Sequence, residues 1–575
     1  WWGNMVTPGK GPGGDILSFL VFLSTAPPNV FLPRWWLEGI ATWSETQNTE
    51  AGRGRSSYYE MVFRVAVAED NFPAIDKING EPPYWPNGHM PYMFGLRLHK
   101  YIADKYGAKT LADLSASHSG RYPYFLNGVP SRLLKGDNYV SLYDEMTDDV
   151  KKEQGGRIVA LAARPFTETK TISADGERLT LPRYSPDGKL VAYNKEDPHE
   201  HGVIVIAESS GANVRHTIRR RYSDKSVAWS PDSSRIYFAQ AEVVGGFNVY
   251  SDIYVYDLMT KKTERLTRGM RLKEPDVSPD GMGFAVIVNE RGSTNLGLLT
   301  FDAGESPLKA REDRPRLEQL TSYKLMRVAS PRWSPDGTLI AFVLKDNNGE
   351  SSLNVYDVKT KVTQTLFKAS YDIASFAWGG STLIVYSSDE TGVFNLFSYS
   401  IVDGSKTQIT HVLGGAMHPD VSPDDGGITP DGEVTPNKTV AFSSYSSKGF
   451  KIVSMDFNPQ TSAPTVSITP YWNEPEASFE SRPESVILQP PLSGGLQQKD
   501  ALPEEGAAPK FKATSYSARN TLAPRFWMPS LSGDKEGSVI GAFTIGQDVL
   551  GYNTYLLEAS RGTSSNENYF DVLYL

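Results

Sequence analysis

Two hydrophobic patterns divide the chain. Up to about residue 152 apolar positions recur at helical spacing, and from about residue 156 to 468 they alternate with polar ones at the period of a strand. Helices are expected at residues 15–24, closed by Pro27-Pro28, and at 35–46. A third is expected from Ser57, with Glu60 completing a capping box, to Glu69. A fourth begins near Pro91, carries Tyr92, Leu96, His99, Ala103 and Tyr106 on one stripe, and stops at Gly107.

The alternating part is a copied unit. Tyr184-Ser-Pro-Asp-Gly recurs as Trp229-Ser-Pro-Asp, Val277-Ser-Pro-Asp-Gly, Trp333-Ser-Pro-Asp-Gly, the variant Trp378-Gly-Gly-Ser and Val421-Ser-Pro-Asp, six copies roughly 43–56 residues apart. Pro and Asp set the first turn positions and Gly supplies a positive φ, so each motif is a hairpin turn leading into a strand. Further alternating runs, such as 252–257 and 353–357, bring the count to four short strands per copy, one propeller blade. The stretch 167–173, ahead of the first motif, is placed to add the outer strand of the last blade. Polar insertions at 303–318 and 424–437 would project from one face; the second is rich in Asp and Gly but lacks the spacing of a calcium loop.

These repeats resemble the TolB-like propeller family, whose blades carry the same Ser-Pro-Asp-Gly turn, and the resemblance implies six blades. After Tyr471 the composition turns to Pro, Glu, Ser and Gly, a linker signature. Strand-length segments return at 521–529, 537–547, 551–559 and 568–575. With Phe526, Trp527, Tyr552 and Tyr555 as girdle aromatics, they resemble the opening strands of BamA-like or surface-antigen outer-membrane barrels. Four strands cannot close a barrel, so the parent is expected to continue; the alternative is a small soluble antiparallel sheet. The expected fold is multidomain: an α-helical peptidase-like domain at 1–152, an all-β six-bladed propeller at 153–470, a Pro-rich linker at 471–515 and the first strands of a partial barrel at 516–575.

Chemistry is sought in the helical part. Pro33-Arg-Trp-Trp-Leu-Glu-Gly-Ile-Ala resembles the Trp-Leu-x-Glu-Gly-x-Ala helix of the gluzincin metallopeptidases, and Pro91-Tyr-Met-Phe-Gly95 matches their downstream Pro-Tyr-x-x-Gly segment. The resemblance implies that Glu38 is a zinc ligand and that the Tyr92 hydroxyl stabilises an oxyanion. A catalytic zinc needs three protein ligands and an open position, and the chain contains no His-Glu-x-x-His helix to supply the other two. Either that helix precedes Trp1 in the parent, which the abrupt start favours, or the domain is a degenerate relative that never bound metal. Taken singly, each motif also reads as an ordinary helix surface and a core aromatic. His89, His99 and His118 lie on separate segments, and Pro198-His-Glu-His201 has the wrong spacing and falls at a blade edge.

Composition narrows the classes further. The net charge of −9 and pI near 5.6 give no electrostatic basis for a nucleic-acid partner, and the Arg219-Arg-Arg221 run is one short patch. With no cysteine there is no disulfide, thiolate zinc site or thiol nucleophile. The longest apolar run, 16–23, is far shorter than the roughly 20 residues of a membrane-spanning helix. No Gly-x-Ser-x-Gly elbow is present, so propeller-capped serine peptidases gain no support. The functional expectation is a cell-envelope protein, periplasm-facing and associated with the outer membrane, whose parent is a zinc-dependent peptidase-like protein. Its propeller would present substrate or bind envelope proteins or peptides, and its C-terminal strands would meet the outer membrane. The competing expectation is a non-catalytic TolB-like interaction scaffold.

Overall fold

The computed structural model describes residues 32–49, 52–80, 82, 84–119, 126–219, 226–244, 248–290, 292–301, 315–423, 438–458, 462–469, 518, 522, 527–533, 537–548 and 553–574. The expected helix at 15–24, Arg220 and Arg221, most of the 303–318 insertion, the Asp/Gly-rich insertion and the linker at 471–515 lie outside the described residues. One compact unit comprises Pro33–Ala112 and Pro130–Glu474; a second includes Asp113–Val129 and the C-terminal strands.

The helices are α1 (Arg34–Asn48), α2 (Ser57–Ala68), α3 (Met90–Tyr106), α4 (Lys109–Ser119), α5 (Gly128–Leu133) and α6 (Tyr139–Ala162). Helix α1 starts after Pro33, and one of its orphan N–H groups, that of Arg34, donates to Asn79 Oδ1 at 2.8 Å. The expected capping box at Ser57 and Glu60 does not form. Ser56 is the cap, accepting from Tyr58 N, while Glu60 is buried and accepts from Gln154 Nε2 at 2.9 Å and from Arg157. Helix α3 ends at Gly107, φ 89°, as expected, but from Met90 to Ile102 it is buried nearly all round, so a single stripe describes it poorly. Asn138 caps α6 through Val140 N and Ser141 N, and this helix continues through Gly155-Gly156 to Ala162, beyond the expected helical limit at 152.

Strand structure then begins with β1 (Lys170–Ser173). The first sheet unit is β2 (Arg178–Tyr184), β3 (Leu190–Asp197), β4 (Glu200–Glu208) and β5 (Val214–Arg219); the second is β6 (Val227–Trp229), β7 (Arg235–Val244), β8 (Asn248–Asp257) and β9 (Lys262–Arg265). The third is β10 (Leu272–Val277), β11 (Gly283–Glu290), β12 (Ser293–Thr300) and β13 (Arg316–Gln319); the fourth is β14 (Arg327–Trp333), β15 (Leu339–Lys345), β16 (Ser351–Asp357) and β17 (Thr363–Ala369). The fifth is β18 (Ile373–Gly380), β19 (Leu383–Ser388), β20 (Asn395–Ser400) and β21 (Lys406–Gln408). The sixth is β22 (Ala416–Val421), β23 (Thr439–Ser446) and β24 (Gly449–Asp456), with β1 as its fourth strand, Lys170 opposite Ser454. The innermost strands β2, β6, β10, β14, β18 and β22 each pack on the next, and β22 returns to β2. The six sheets therefore form a closed propeller, fastened by a strand from the beginning of the repeat region.

Apolar faces of neighbouring blades build the core. Ile204 and Ile206 of the first blade meet Phe238 and Tyr254 of the second, Tyr237 meets Phe284, Ile287 meets Phe342, Leu353 meets Phe376, Leu396 meets Phe442, and Ile452 returns to Leu179. Burying each such side chain contributes about 1.5–3 kcal/mol. The repeated turn is held from within. The Ser185 hydroxyl donates to Asp187 Oδ1 at 2.6 Å and accepts from Leu190 N at 2.9 Å, and the bracket recurs at Ser278, Asp280 and Gly283 and at Ser334, Asp336 and Leu339. The turn glycines Gly188, Gly281 and Gly337 have φ of 72°, 75° and 71°.

Helix α2 and the segment before α3 dock on the propeller face opposite these turns. Arg64, 0% exposed on α2, donates from Nε to Leu413 O at 2.7 Å and from Nη2 to Gly414 O at 2.9 Å. Trp85 donates from Nε1 to the Tyr445 hydroxyl at 2.9 Å and from its backbone to Glu177 Oε1 at 3.0 Å; Ser447 N donates to Glu69 Oε2 at 3.0 Å.

In the second unit β25 (Met528–Gly533), β26 (Ser538–Gln547), β27 (Thr554–Gly562) and β28 (Asn568–Tyr574) form an antiparallel meander. Its first described strand overlaps the expected 521–529 at Met528 and Pro529 and runs on to Gly533, with Met528 opposite Phe543 and Gly533 opposite Ser538. Tyr555 is buried, its hydroxyl donating to Leu522 O at 2.7 Å, so it is not an exposed girdle residue; Phe526 and Tyr552 lie outside the described residues.

The turn carboxylates make stability depend on acid. Their serine hydroxyls, first among several causes, hold Asp280 and Asp336 below the ordinary value of 3.8. A lowered folded-state pKa gives stability that is complete above the unfolded value and lost as pH falls through the folded one. The melting temperature is expected to decline as pH drops below about 4, and a Ser278→Ala/Ser334→Ala variant to start lower at pH 7 and decline less, as followed by circular dichroism.

Candidate functional site

The two motif helices of the helical part are locked together at their glycines. A Cβ on Gly39 would lie 2.5 Å from the Gly95 carbonyl carbon, and one on Gly95 would lie 2.3 Å from Trp35 O. Helices α1 and α3 thus cross with their backbones in contact, which only glycine permits. Trp35 and Trp36 pack beside the crossing against Tyr139 and His99.

Glu38 immediately precedes one crossing glycine and Tyr92 lies three residues before the other. Both are half-buried. The Glu38 backbone carbonyl accepts from the Thr42 hydroxyl at 2.7 Å, whereas its carboxylate has no hydrogen-bond or ion-pair partner among the described residues. The Tyr92 hydroxyl likewise has no hydrogen-bond partner among them. Its ring lies under the Arg53 guanidinium, 5.2 Å from the centroid, and Glu45 on α1 anchors Arg53 at 3.0 Å to Nε and 2.8 Å to Nη2. Tyr92, Arg53, Arg34 and His89 line an open cavity of about 720 Å³. Glu38 lies one helical turn from Arg34 and therefore on the same face of α1. Burial, then the charges of Arg178 and Arg53, lowers the pKa of His89.

This set does not amount to a zinc site. Among the described residues no three His, Asp or Glu side chains gather to hold a metal, and Glu38 alone would be one ligand where three are required. His99 is a core residue, its Nδ1 2.7 Å from Gly95 O and its pKa pushed down to about 4 by burial; His199 falls in the β3–β4 turn and His201 at the start of β4.

The propeller axis carries a charged constellation that the repeat motif obscures. Arg183 pairs with Asp276 at 2.9 Å and with Asp420 at 3.4 Å, and Arg332 pairs with Asp276 at 3.2 Å. Each immediately precedes the aromatic or valine that opens a repeat motif. In blade order those positions read Arg183, Ala228, Asp276, Arg332, Ala377, Asp420, so the second three blades repeat the first three. That period is visible in the sequence one residue before the motif. The geometry follows it: Tyr184 N donates to Asp420 Oδ2 at 2.7 Å and Trp333 N to Asp276 Oδ2 at 2.8 Å, while Trp229 Nε1 donates to Arg183 O at 3.0 Å and Trp378 Nε1 to Arg332 O at 3.1 Å. Burial holds the Asp420 carboxyl above its ordinary value despite Arg183, and burial followed by the charge of Arg183 lowers Arg332 to about 10.

No family model and no curated protein matches the chain. Among solved structures it is similar to TolB from Acinetobacter baumannii, at 21% identity over 44% of this chain and 59% of that one, TM-score 0.37. It is also similar to a putative TolB from Agrobacterium tumefaciens, at 17% identity over 50% of this chain and 94% of that one, TM-score 0.36. A third is the β-propeller domain of the Trilobed protease from Pyrococcus furiosus, at 12% identity over 69% of this chain and 98% of that one, TM-score 0.32. The chain thus spans less than two thirds of the first of these. All are propeller proteins, and the propeller of this chain rests on its own strand pairing and ring of contacts.

Gly39→Ala is expected to cost about 1–3 kcal/mol, because the added methyl meets backbone that cannot turn aside. Gly155→Ala, in the middle of α6 with open space around its Cβ position, is expected to stabilise by about 0.5–1 kcal/mol. Urea denaturation monitored by tryptophan fluorescence distinguishes the two.

Proposed function

We propose that this chain is the recognition part of a cell-envelope peptidase-like protein, a gluzincin-like helical module mounted on a TolB-like propeller. The observation that carries this reading is the Gly39–Gly95 crossing, which joins the two motif helices and leaves the Glu38 carboxylate and the Tyr92 hydroxyl without hydrogen-bond partners among the described residues. In this reading Glu38 is one metal ligand, the others come from outside the described residues, and the Tyr92 hydroxyl donates to the oxygen that gains charge when a peptide carbonyl is attacked. The propeller holds the partner or substrate protein.

Metal analysis of the intact parent protein tests the assignment. One zinc per chain is expected, lost in Glu38→Gln with an unchanged circular dichroism spectrum, and Tyr92→Phe is expected to lower kcat by about 10²–10³-fold with zinc retained. Zinc-free protein and unaltered behaviour of both variants would leave the non-catalytic scaffold as the reading.

A membrane role for the C-terminal sheet has its own support. Pairing places Leu531, Ile540, Ala542, Phe570 and Val572 on one face, and Leu531, Phe570 and Val572 are 78%, 75% and 73% exposed. Arg561 interrupts this face in line with Ile540. No helix among the described residues is long and apolar enough to cross a membrane. Strands closed into a barrel are the other structure that can satisfy its backbone in lipid, and in this reading the meander is part of one. Flotation with phosphatidylcholine vesicles is expected for the intact protein and expected to fail for Phe570→Asp/Val572→Asp; protein that remains at the bottom of the gradient without substitution rules this role out.

A further inference from the structure

The axial charge cluster has an open chamber beside it. A cavity of about 260 Å³ is lined by Leu181, Ser226, Glu274, Ser330, Ser375 and His418, each two residues before the axial position of its blade, so all six blades contribute the same site. Arg327, Lys345 and Asp372, near the strand ends on the helix-bearing face, complete the wall, and Arg332 belongs to it. The ion pairs among Arg183, Asp276, Arg332 and Asp420 lie at the next level along the same strands and reach from blade to blade. The chamber is therefore backed by a layer of buried charge.

The backbone is strained only at chosen positions of this ring. Leu181, Glu274, Ser330 and His418 have φ of 56°, 49°, 54° and 56°, each precedes a proline, and each lies in a β-bulge of its innermost strand. Such left-handed conformations cost non-glycine residues of order 1 kcal/mol or more each, and bulges re-aim side chains. The four strained strands are the four that carry the axial Arg and Asp residues.

Two buried polar groups of the wall lack partners among the described residues. Arg332, 8% exposed, has an Nε with no acceptor there, although its Nη1 meets Asp276; Ser375, 5% exposed, has an Oγ with no hydrogen bond there. At the rim the Arg327 guanidinium is exposed and without a partner among the described residues. Glu274 is engaged by Ser330 N, and Lys345 by Asp372 at 3.5 Å. Asp276 already balances Arg332, and Arg327 and Lys345 are matched in number by Glu274 and Asp372, so what the wall holds in excess is donors: the Arg332 Nε and the Arg327 guanidinium have no acceptor among the described residues. Buried donors are costly to leave unpaired, and charge-assisted bonds to guanidinium are among the strongest available.

We infer that this axial chamber binds a single carboxylate, entering from the helix-bearing face and received by Arg327, Arg332 and Ser375. The charge layer behind it makes the chamber a dead end, so the bound group is a terminus, a side chain or a small acid, not a strand threading the propeller. This assignment stands independently of any metal chemistry at Glu38.

Isothermal titration of the full chain tests it with glutarate, glutaramide, a tripeptide with a free C-terminal carboxylate, the same tripeptide amidated, and inorganic phosphate. A carboxylate probe is expected to bind with Kd of about 1 mM or tighter, and its neutral amide roughly tenfold more weakly. Glutarate binding above the tripeptide assigns the site to small acids, and the reverse assigns it to chain ends. Arg327→Gln, at an exposed position that leaves the melting temperature unchanged, and Ser375→Leu, which fills the chamber, are each expected to weaken binding about tenfold. The inference is overturned if acid and amide bind alike, if phosphate binds more tightly than every carboxylate, if no carboxylate binds up to about 10 mM, or if Arg327→Gln binds as the unsubstituted protein does.

Discussion

An innermost propeller strand has one edge that no further strand can pair, and the way this chain satisfies that edge shapes its whole axis. Backbone N–H and C=O groups buried without partners are costly. On β2 the N–H of Tyr184 goes to Asp420 of the preceding blade and the C=O of Arg183 to the indole of Trp229 on the following blade. On β14 the same two groups go to Asp276 and Trp378. Asp, Arg and Ala-Trp therefore have to succeed one another around the ring, and six blades accommodate the triplet twice. A buried aspartate brought in to accept backbone N–H groups needs a counter-charge, which Arg183 and Arg332 provide. Such pairs are weak evidence for net stability, since desolvation offsets their attraction, but removing one partner alone is costly. The triplet specifies which blade follows which more than it strengthens the fold.

The same economy of backbone groups explains how the helices sit. Arg64 enters the propeller face as a buried cation whose hydrogen bonds go to carbonyls of Leu413 and Gly414, groups in the loop that leads into β22. Gly414 and Gly415 in that loop would place a Cβ 2.6 Å from Tyr445 O and 2.5 Å from Met61 Sδ, so α2 lies directly on it. His411, just upstream, accepts from Thr167 N through its C=O, donates its N–H to the Thr167 hydroxyl and lies 2.9 Å through Nε2 from Leu161 O, tying the end of α6 to the fifth blade before β1 closes the sixth. Helices and ring closure thus share one seam, with Phe166 stacked on the His411 ring at 5.2 Å.

How much of this is legible in the sequence depends on whether a feature is local. The Ser-Pro-Asp-Gly turns and the strands they open repeat within short windows, and the ring-closing role of 167–173 follows from counting strands. The full length of α6 is hidden because Gly155-Gly156 reads as a break, although tertiary contacts through Gln154 and Arg157 to Glu60 carry the helix across it. Glu60 misleads for the same reason: its spacing from Ser57 fits a capping box, but a buried arginine on a helix far along the chain claims its carboxylate. At the candidate site, Glu38 and Tyr92 are marked by their motifs. That Gly39 and Gly95 touch cannot be read from either motif alone, because their meeting is a property of two helices crossing.

The axial residues show why repeat motifs can hide as much as they reveal. A turn motif is recognised by what all copies share, whereas chemistry on a propeller axis depends on what differs between copies. Tyr184, Trp229, Val277, Trp333, Trp378 and Val421 are the variable first letters of a common word, and the informative letter is the one before. Were the six copies identical there, six like charges would converge on one axis, and at such separations like charges cannot all remain ionised. Alternation of Arg, Ala and Asp relieves that repulsion and also spares the backbone edges. The leftover is a chamber whose donors exceed its acceptors, because the aspartates of the axial layer are already committed to Tyr184 N, Trp333 N and the two arginines.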